Sequence, residues 1–232
     1  MRVGISGTHG TGKTTLAQAL CAGLPGHVTA DEPYYLLEEE GYEFAFPPAR
    51  EDYRALLNRS VRSLSSAPVQ AGVIFDRTPL DYLAYLAATG ADPASEADGA
   101  MLRSVVGRLD LLVITPITAE TERVLPAAEL PGLRADMNDA LLELAYSDPL
   151  EAWGDVPLLE LGGKLEDRPD TVLAALRHTR GRGGDGMAPE EPERPAPEIP
   201  EQSPEDTDAG WGERAEPDDD ERRYGERPPH WE

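Results

Sequence analysis

Cysteine occurs once in the 232 residues, at Cys21. A single thiol closes no disulfide within the chain, which fits a reducing compartment, and no His or second Cys pairs with it in the sequence. Its place on the apolar side of the first helical pattern reads as a small core residue. Apolar runs of membrane-spanning length are missing as well. The amino terminus enters a strand pattern directly, without a leader segment, so the expected location is cytoplasmic. Positive charge is scarce: 21 Lys and Arg against 44 Asp and Glu leave a net −23. Such a surface repels phosphate backbones and anionic lipid, and neither nucleic acid nor a membrane is expected as a partner. Scarcest of all is lysine, present only as Lys13 and Lys164.

Aliphatic residues thin out sharply after Gly181. From there to Glu232 the chain is Pro, Gly, Glu, Asp and Arg, with 17 acidic against 6 basic side chains. Nothing in that composition offsets the entropy of ordering, so 181–232 is expected to be a disordered acidic tail, available to a protein partner. Gly181 to Gly186 forms the linker, and residues 1–180 the single folded domain.

Within that domain, runs of strand length recur at Arg2 to Ser6, His27 to Asp31, Val73 to Asp76, Leu109 to Thr115 and Pro157 to Leu161. Helical periodicity fills the gaps: Thr14 to Leu24, Ala49 to Ser65, Leu80 to Thr89, Glu96 to Arg108, Gly132 to Tyr146 and Arg168 to Thr179. Alternating strands and helices predict an α/β fold of three layers, a parallel five-stranded sheet with helices on both faces. Residues 116–133, with three prolines, are expected to form a mobile flap. Ligands of such folds sit at the carboxyl edge of the sheet.

Gly7 to Thr14 reads Gly-Thr-His-Gly-Thr-Gly-Lys-Thr, a complete G-x-x-x-x-G-K-T phosphate loop between the first strand and the first helix. Gly7, Gly10 and Gly12 open backbone angles closed to other residues, so that consecutive N–H groups of the loop, which also holds Thr8, His9 and Thr11, can turn inward around a phosphate. Lys13 supplies a point charge for the outer phosphates, Thr14 a hydroxyl for Mg²⁺, and the helix start, with Thr15, the positive dipole end. The chain writes nearly all its positive charge as arginine, and one of its two lysines stands inside this loop.

Three more features fall at the same edge. Asp31-Glu32-Pro33 leaves the second strand, with Pro33 keeping Glu32 out of helix. There a carboxylate either accepts a hydroxyl proton or holds a metal-bound water. Val73-Ile74-Phe75-Asp76 is a buried strand ending in Asp beside the phosphate loop, the arrangement that holds the metal shell of a nucleotide, and Arg77 follows with a permanently charged fork. The flap carries Glu122-Arg123, and Arg134 begins the next helix; arginines on a closing lid stabilise charge spread over a transferring phosphoryl group.

Gly7 to Thr14, Glu32-Pro33, Asp76-Arg77-Thr78 and the lid arginine resemble the deoxynucleoside and thymidylate kinase group of P-loop kinases. The run Phe-Asp-Arg-Thr-Pro-Leu-Asp-Tyr-Leu-Ala-Tyr is similar to bacterial P-loop proteins of the AAA domain type related to ribosylnicotinamide kinase. By that resemblance Glu32 is the base or substrate anchor, Arg77 lies beside the transferred phosphate, and Arg123 is the lid arginine. Thymidylate kinases carry an arginine before Glu-Pro, where this chain has Asp31, which points away from a monophosphate acceptor.

Tyr34, Tyr35, Tyr42, Phe44, Phe46 and Tyr53, joined by Tyr82 and Tyr85, either frame a planar ring or pack two helices. Gly162-Gly163, after the fifth strand, is either a plain turn or a close approach to adenine. No Asn-Lys-x-Asp element is present, which favours ATP over GTP. The expected activity is transfer of the γ-phosphate of ATP, with Mg²⁺, to a hydroxyl of a small nucleoside-like metabolite. The competing readings are an NTPase switch with a protein partner and a nucleotide-binding module without turnover.

Overall fold

The computed structural model describes residues 1–67, 72–124 and 130–181. The linker beyond residue 181 and the acidic tail lie outside them, as does Pro126 of the expected flap.

All five expected strands form: β1 (Arg2–Ser6), β2 (His27–Ala30), β3 (Gly72–Asp76), β4 (Leu111–Ile114) and β5 (Leu158–Glu160). They pair in parallel in the order β2-β3-β1-β4-β5. Side chains of a strand alternate between faces, and the core divides accordingly. Val3, Ile5, Ile74, Leu111 and Val113 point to one face, covered by α1 (Lys13–Gly23) and α9 (Arg168–Gly181) through Leu16, Leu20, Val172 and Leu176. Val73, Phe75, Leu112 and Ile114 point to the other, covered by α3 (Arg50–Ser66), α4 (Pro79–Ala88), α6 (Gly99–Val106) and α8 (Pro131–Ser147). Helix α4 lies between α3 and α8 and is buried from Pro79 to Leu86, so it sets the floor of the site. Gly4 lets it approach: a Cβ there would stand 2.7 Å from Thr78 Cγ2.

The helices depart from the sequence reading in three places. A short α2 (Pro33–Glu39) fills part of what reads as loop; Pro33 at its first position suits a helix start, where no amide hydrogen is needed. The single helix expected over Glu96 to Arg108 is two, α5 (Pro93–Glu96) and α6. Ala97 is extended between them, and Asp98 restarts the helix by accepting from the amides of Ala100 and Met101. The flap contains α7 (Ala119–Val124), opened by mutual hydrogen bonds of Thr118 and Thr121. A turn of 3-10 helix, Leu165–Asp167, leads into α9.

Among the described residues no helix is long and apolar enough to cross a membrane. Cys21 is half-buried and its thiol meets the His27 carbonyl at 3.1 Å.

Candidate functional site

The phosphate loop leaves β1 at Gly7 and enters α1 at Lys13. Gly10 and Gly12 have φ of +61° and +79°, the left-handed region that costs side-chain-bearing residues energy. Gly7 is needed for space, since a Cβ would lie 2.1 Å from Thr115 Oγ1 and 2.5 Å from the Thr115 carbonyl oxygen. The first turn of α1 carries no acidic residue of its own, and its dipole end faces the loop.

Lys13 is 3 % exposed, and its Nζ donates to the Thr8 carbonyl at 2.8 Å. Burial, reinforced by Arg77, lowers its pKa. Thr14 Oγ1 donates to Asp76 Oδ2 at 2.6 Å, across the register that sets Ile5 opposite Asp76. Asp76 Oδ1 is buried without a hydrogen-bond partner among the described residues. An orphaned carboxylate oxygen beside a threonine hydroxyl fits a Mg²⁺ that takes one or two protein oxygens and completes its shell with phosphate and water. Among the described residues no three His, Cys, Asp or Glu side chains converge into a metal cage.

Arg77 adopts φ +69° at the turn from β3 into α4 and is 4 % exposed. Its Nε donates to Glu32 Oε1 and its Nη1 to the Gly7 carbonyl at 3.2 Å, so one guanidinium joins the loop to the Glu32 carboxylate. Burial pushes the Glu32 pKa up against the pull of Arg77. Its side chain stays 13 % exposed, within reach of a ligand.

Asp81, in the first turn of α4, ties the loop to that helix. Its Oδ1 accepts from the Gly7 amide and its Oδ2 from the Thr78 amide, both at 2.8 Å. The Thr78-x-x-Asp81 spacing, a capping box, was the available sign.

The two flap arginines separate. Arg123 is exposed and pairs with Glu120 at 2.8 Å, away from the loop. Arg134 is buried; its Nε and Nη2 donate to the carbonyls of His9 and Gly10 at 3.0 and 3.1 Å, and its Nη1 to Glu122 at 2.5 Å. Arg168 also reaches the loop, donating to the Thr11 carbonyl at 2.7 Å. Its sequence context gave no hint of this.

The aromatic residues form two groups. Tyr34 stacks on Phe44 at 4.4 Å, with Tyr35 and Tyr42 against them. Tyr53 stacks on Tyr85 at 4.9 Å inside the core, and Tyr82 is fully buried. Packing thus accounts for Tyr53, Tyr82 and Tyr85, while Phe46 is exposed. Gly162 and Gly163 face open space, with Gly163 at φ +70°.

His9 is buried, with Nδ1 3.3 Å from the Tyr85 hydroxyl. Burial and the nearby Arg77, Lys13 and Arg134 hold its pKa down to about 3. The folded chain therefore refuses a proton that the unfolded chain accepts below its ordinary value of 6.5. Stability contributed by neutral His9 is complete above that value and lost progressively as pH falls from it toward about 3. Urea unfolding of His9→Gln should lack about 2 kcal/mol of the stability loss that wild type shows between about pH 8 and about pH 5. Equal losses in both proteins would count against a neutral His9.

Comparison with solved structures places this geometry in a known fold. A deoxyadenosine kinase from M. mycoides with bound dATP superposes with a TM-score of 0.52 at 16 % identity, over 76 % of this chain and 99 % of the kinase. NadR protein in complex with NAD and AMP-PNP gives a TM-score of 0.55 at 18 % identity, over 81 % of this chain. The complex of NadR with NR gives 0.52 at 18 % identity. The chain spans about half of NadR, 51 % of its length. Comparison with curated proteins finds no match. The AAA domain family profile covers residues 2–168, from the first strand to the start of α9. With a P-loop kinase-like fold and a family match over most of its length, this chain belongs to the AAA domain family.

Proposed function

We propose that the protein transfers the γ-phosphate of ATP to a hydroxyl of a small nucleoside-like metabolite. The observation that carries this reading is the bridge Gly7–Arg77–Glu32, which holds a carboxylate of raised pKa one guanidinium away from the phosphate loop. A base placed there can take a proton from an acceptor poised against the γ-phosphate. The fold neighbours named for deoxyadenosine kinase and for NR-bound NadR support a nucleoside-like acceptor.

In this reading the amides of residues 8–14 and Lys13 hold the phosphates, while the Gly7 amide stays on Asp81. Thr14 and Asp76 would hold Mg²⁺, which when bound neutralises charge on the β and γ oxygens. The acceptor hydroxyl gives its proton to Glu32 as its oxygen bonds to the γ-phosphorus and the bond to ADP breaks. Arg77 steadies the equatorial oxygens, and Arg123, now at the surface, would need α7 to swing inward to join it. Asp31 places negative charge beside the entrance, which disfavours a phosphorylated acceptor. Residues 1–180 would do this alone, the acidic tail serving any protein partner.

The purified 232-residue chain with ATP and Mg²⁺, screened by mass spectrometry against nucleosides and vitamins, should yield a product heavier by one phosphate. Slow ATP loss to water with no such product, accelerated by a partner protein, would replace the kinase by a switch.

A further inference from the structure

A peptide group points its N–H and C=O in opposite directions. A loop that turns successive amides inward therefore turns its carbonyls outward, and each buried one needs a donor. Here those donors are cations drawn from four separate places in the chain. Arg77 serves Gly7, Lys13 serves Thr8, Arg134 serves both His9 and Gly10, and Arg168 serves Thr11. Each carbonyl shares its peptide with the next residue's amide, so Arg134 stands behind the N–H groups of Gly10 and Thr11, and Arg168 behind that of Gly12. A charged donor on the oxygen polarises the peptide and strengthens the hydrogen as a donor on the other side.

Lys13 and Arg77 already have roles in the proposed transfer; Arg168 has none, and Arg134, expected as a lid arginine, is bound to the His9 and Gly10 carbonyls. Arg168 is 2 % exposed, its Nε and Nη2 have no partner among the described residues, and it makes no ion pair there. Burial of this guanidinium outweighs the attraction of Glu120, which forms no ion pair with it, and a triphosphate on the inner side of the loop would supply further negative charge. Arg134 is 8 % exposed and extends the arrangement to α7 through Glu122.

We propose that Arg134 and Arg168 are positioning residues for the triphosphate, acting from the outer face of the loop through its peptide groups and touching no part of the nucleotide. This rests on the reading that the loop binds ATP. The two should differ under conservative exchange. A lysine at 168 can still reach one carbonyl, whereas a lysine at 134 cannot serve two carbonyls and Glu122 with the same fork.

The test is calorimetry on the full chain with Mg²⁺, using ATP and inorganic tripolyphosphate as probes, with Arg103→Met at an exposed pair as the control. Arg134→Met and Arg168→Met should each weaken both probes by the same factor, about tenfold. Arg168→Lys should return to within about threefold of wild type while Arg134→Lys stays weak. Methionine variants that bind like wild type overturn the proposal, and so does a loss confined to ATP, which would mean contact with base or ribose. Should the methionine variants not fold, the lysine pair decides: weak Arg134→Lys beside near-normal Arg168→Lys supports the clamp, and any other pattern overturns it. A wild-type chain that binds neither probe removes the ATP reading and the clamp with it, whereas normal binding by the variants removes the clamp alone.

Discussion

Glu32→Gln should lower phosphoryl transfer about 10²- to 10⁴-fold while leaving ATP affinity nearly unchanged. Glutamine keeps an oxygen for Arg77 Nε, so the bridge from Gly7 through Arg77 persists and the loop is not released. What disappears is the proton acceptor. Burial raises the Glu32 pKa, so the acidic limb of the wild-type rate should lie above the ordinary glutamate value of 4.5. Below that limb the carboxyl is protonated and cannot serve as base; above it the ionised form works. The limb should vanish in Glu32→Gln along with the activity. Single-turnover transfer at several pH values, set beside ATP binding, separates the two effects. Transfer at the wild-type rate would remove Glu32 as the base, and a parallel loss of ATP affinity would make it part of the loop's scaffold instead.

The features legible in the sequence are those whose residues are neighbours in the chain. The phosphate loop, its glycines and the strand ending in Asp76 are each local patterns, and the structure brings Thr14 to Asp76 across paired strands as alternating β and α runs imply. Elements too short for periodicity escaped: α2 spans seven residues, and only Pro33 announced it. Contacts over long sequence distance escaped as well. Arg168 reaches Thr11 across 157 residues, and Arg134 reaches Gly10 across 124. Which flap arginine faces the loop depends on where α7 and α8 lie in space. Arg123 and Arg134 look equally suited in sequence, yet one pairs with Glu120 in solvent and the other is buried against the loop. The aromatic residues show the same limit, because composition cannot tell the Tyr53–Tyr85 stack inside the core from Tyr34 on Phe44 at its margin.

Lys13→Met should move binding and stability in opposite directions. ATP affinity should fall about hundredfold or more, because the ammonium placed for the outer phosphates is gone. The nucleotide-free protein, however, should unfold at the wild-type temperature or a few degrees above it. The direction of the Lys13 pKa decides this: burial and Arg77 outweigh the attraction of Asp76, Asp81 and Glu32. A lysine whose pKa is lowered by the fold is charged at neutral pH at a net cost to that fold. Methionine keeps the apolar stem and discards the cost. The Thr8 carbonyl is not orphaned by the change, since Thr11 Oγ1 also donates to it at 2.8 Å. Each kcal/mol of relief would raise the midpoint by roughly 2–4 °C for a domain of this size. Thermal unfolding without nucleotide, paired with calorimetry on ATP, measures both quantities on one preparation. A variant that melts several degrees below wild type would mean the ammonium stabilises the empty loop. The site would then not be one that holds its charge at the expense of the fold until phosphate arrives.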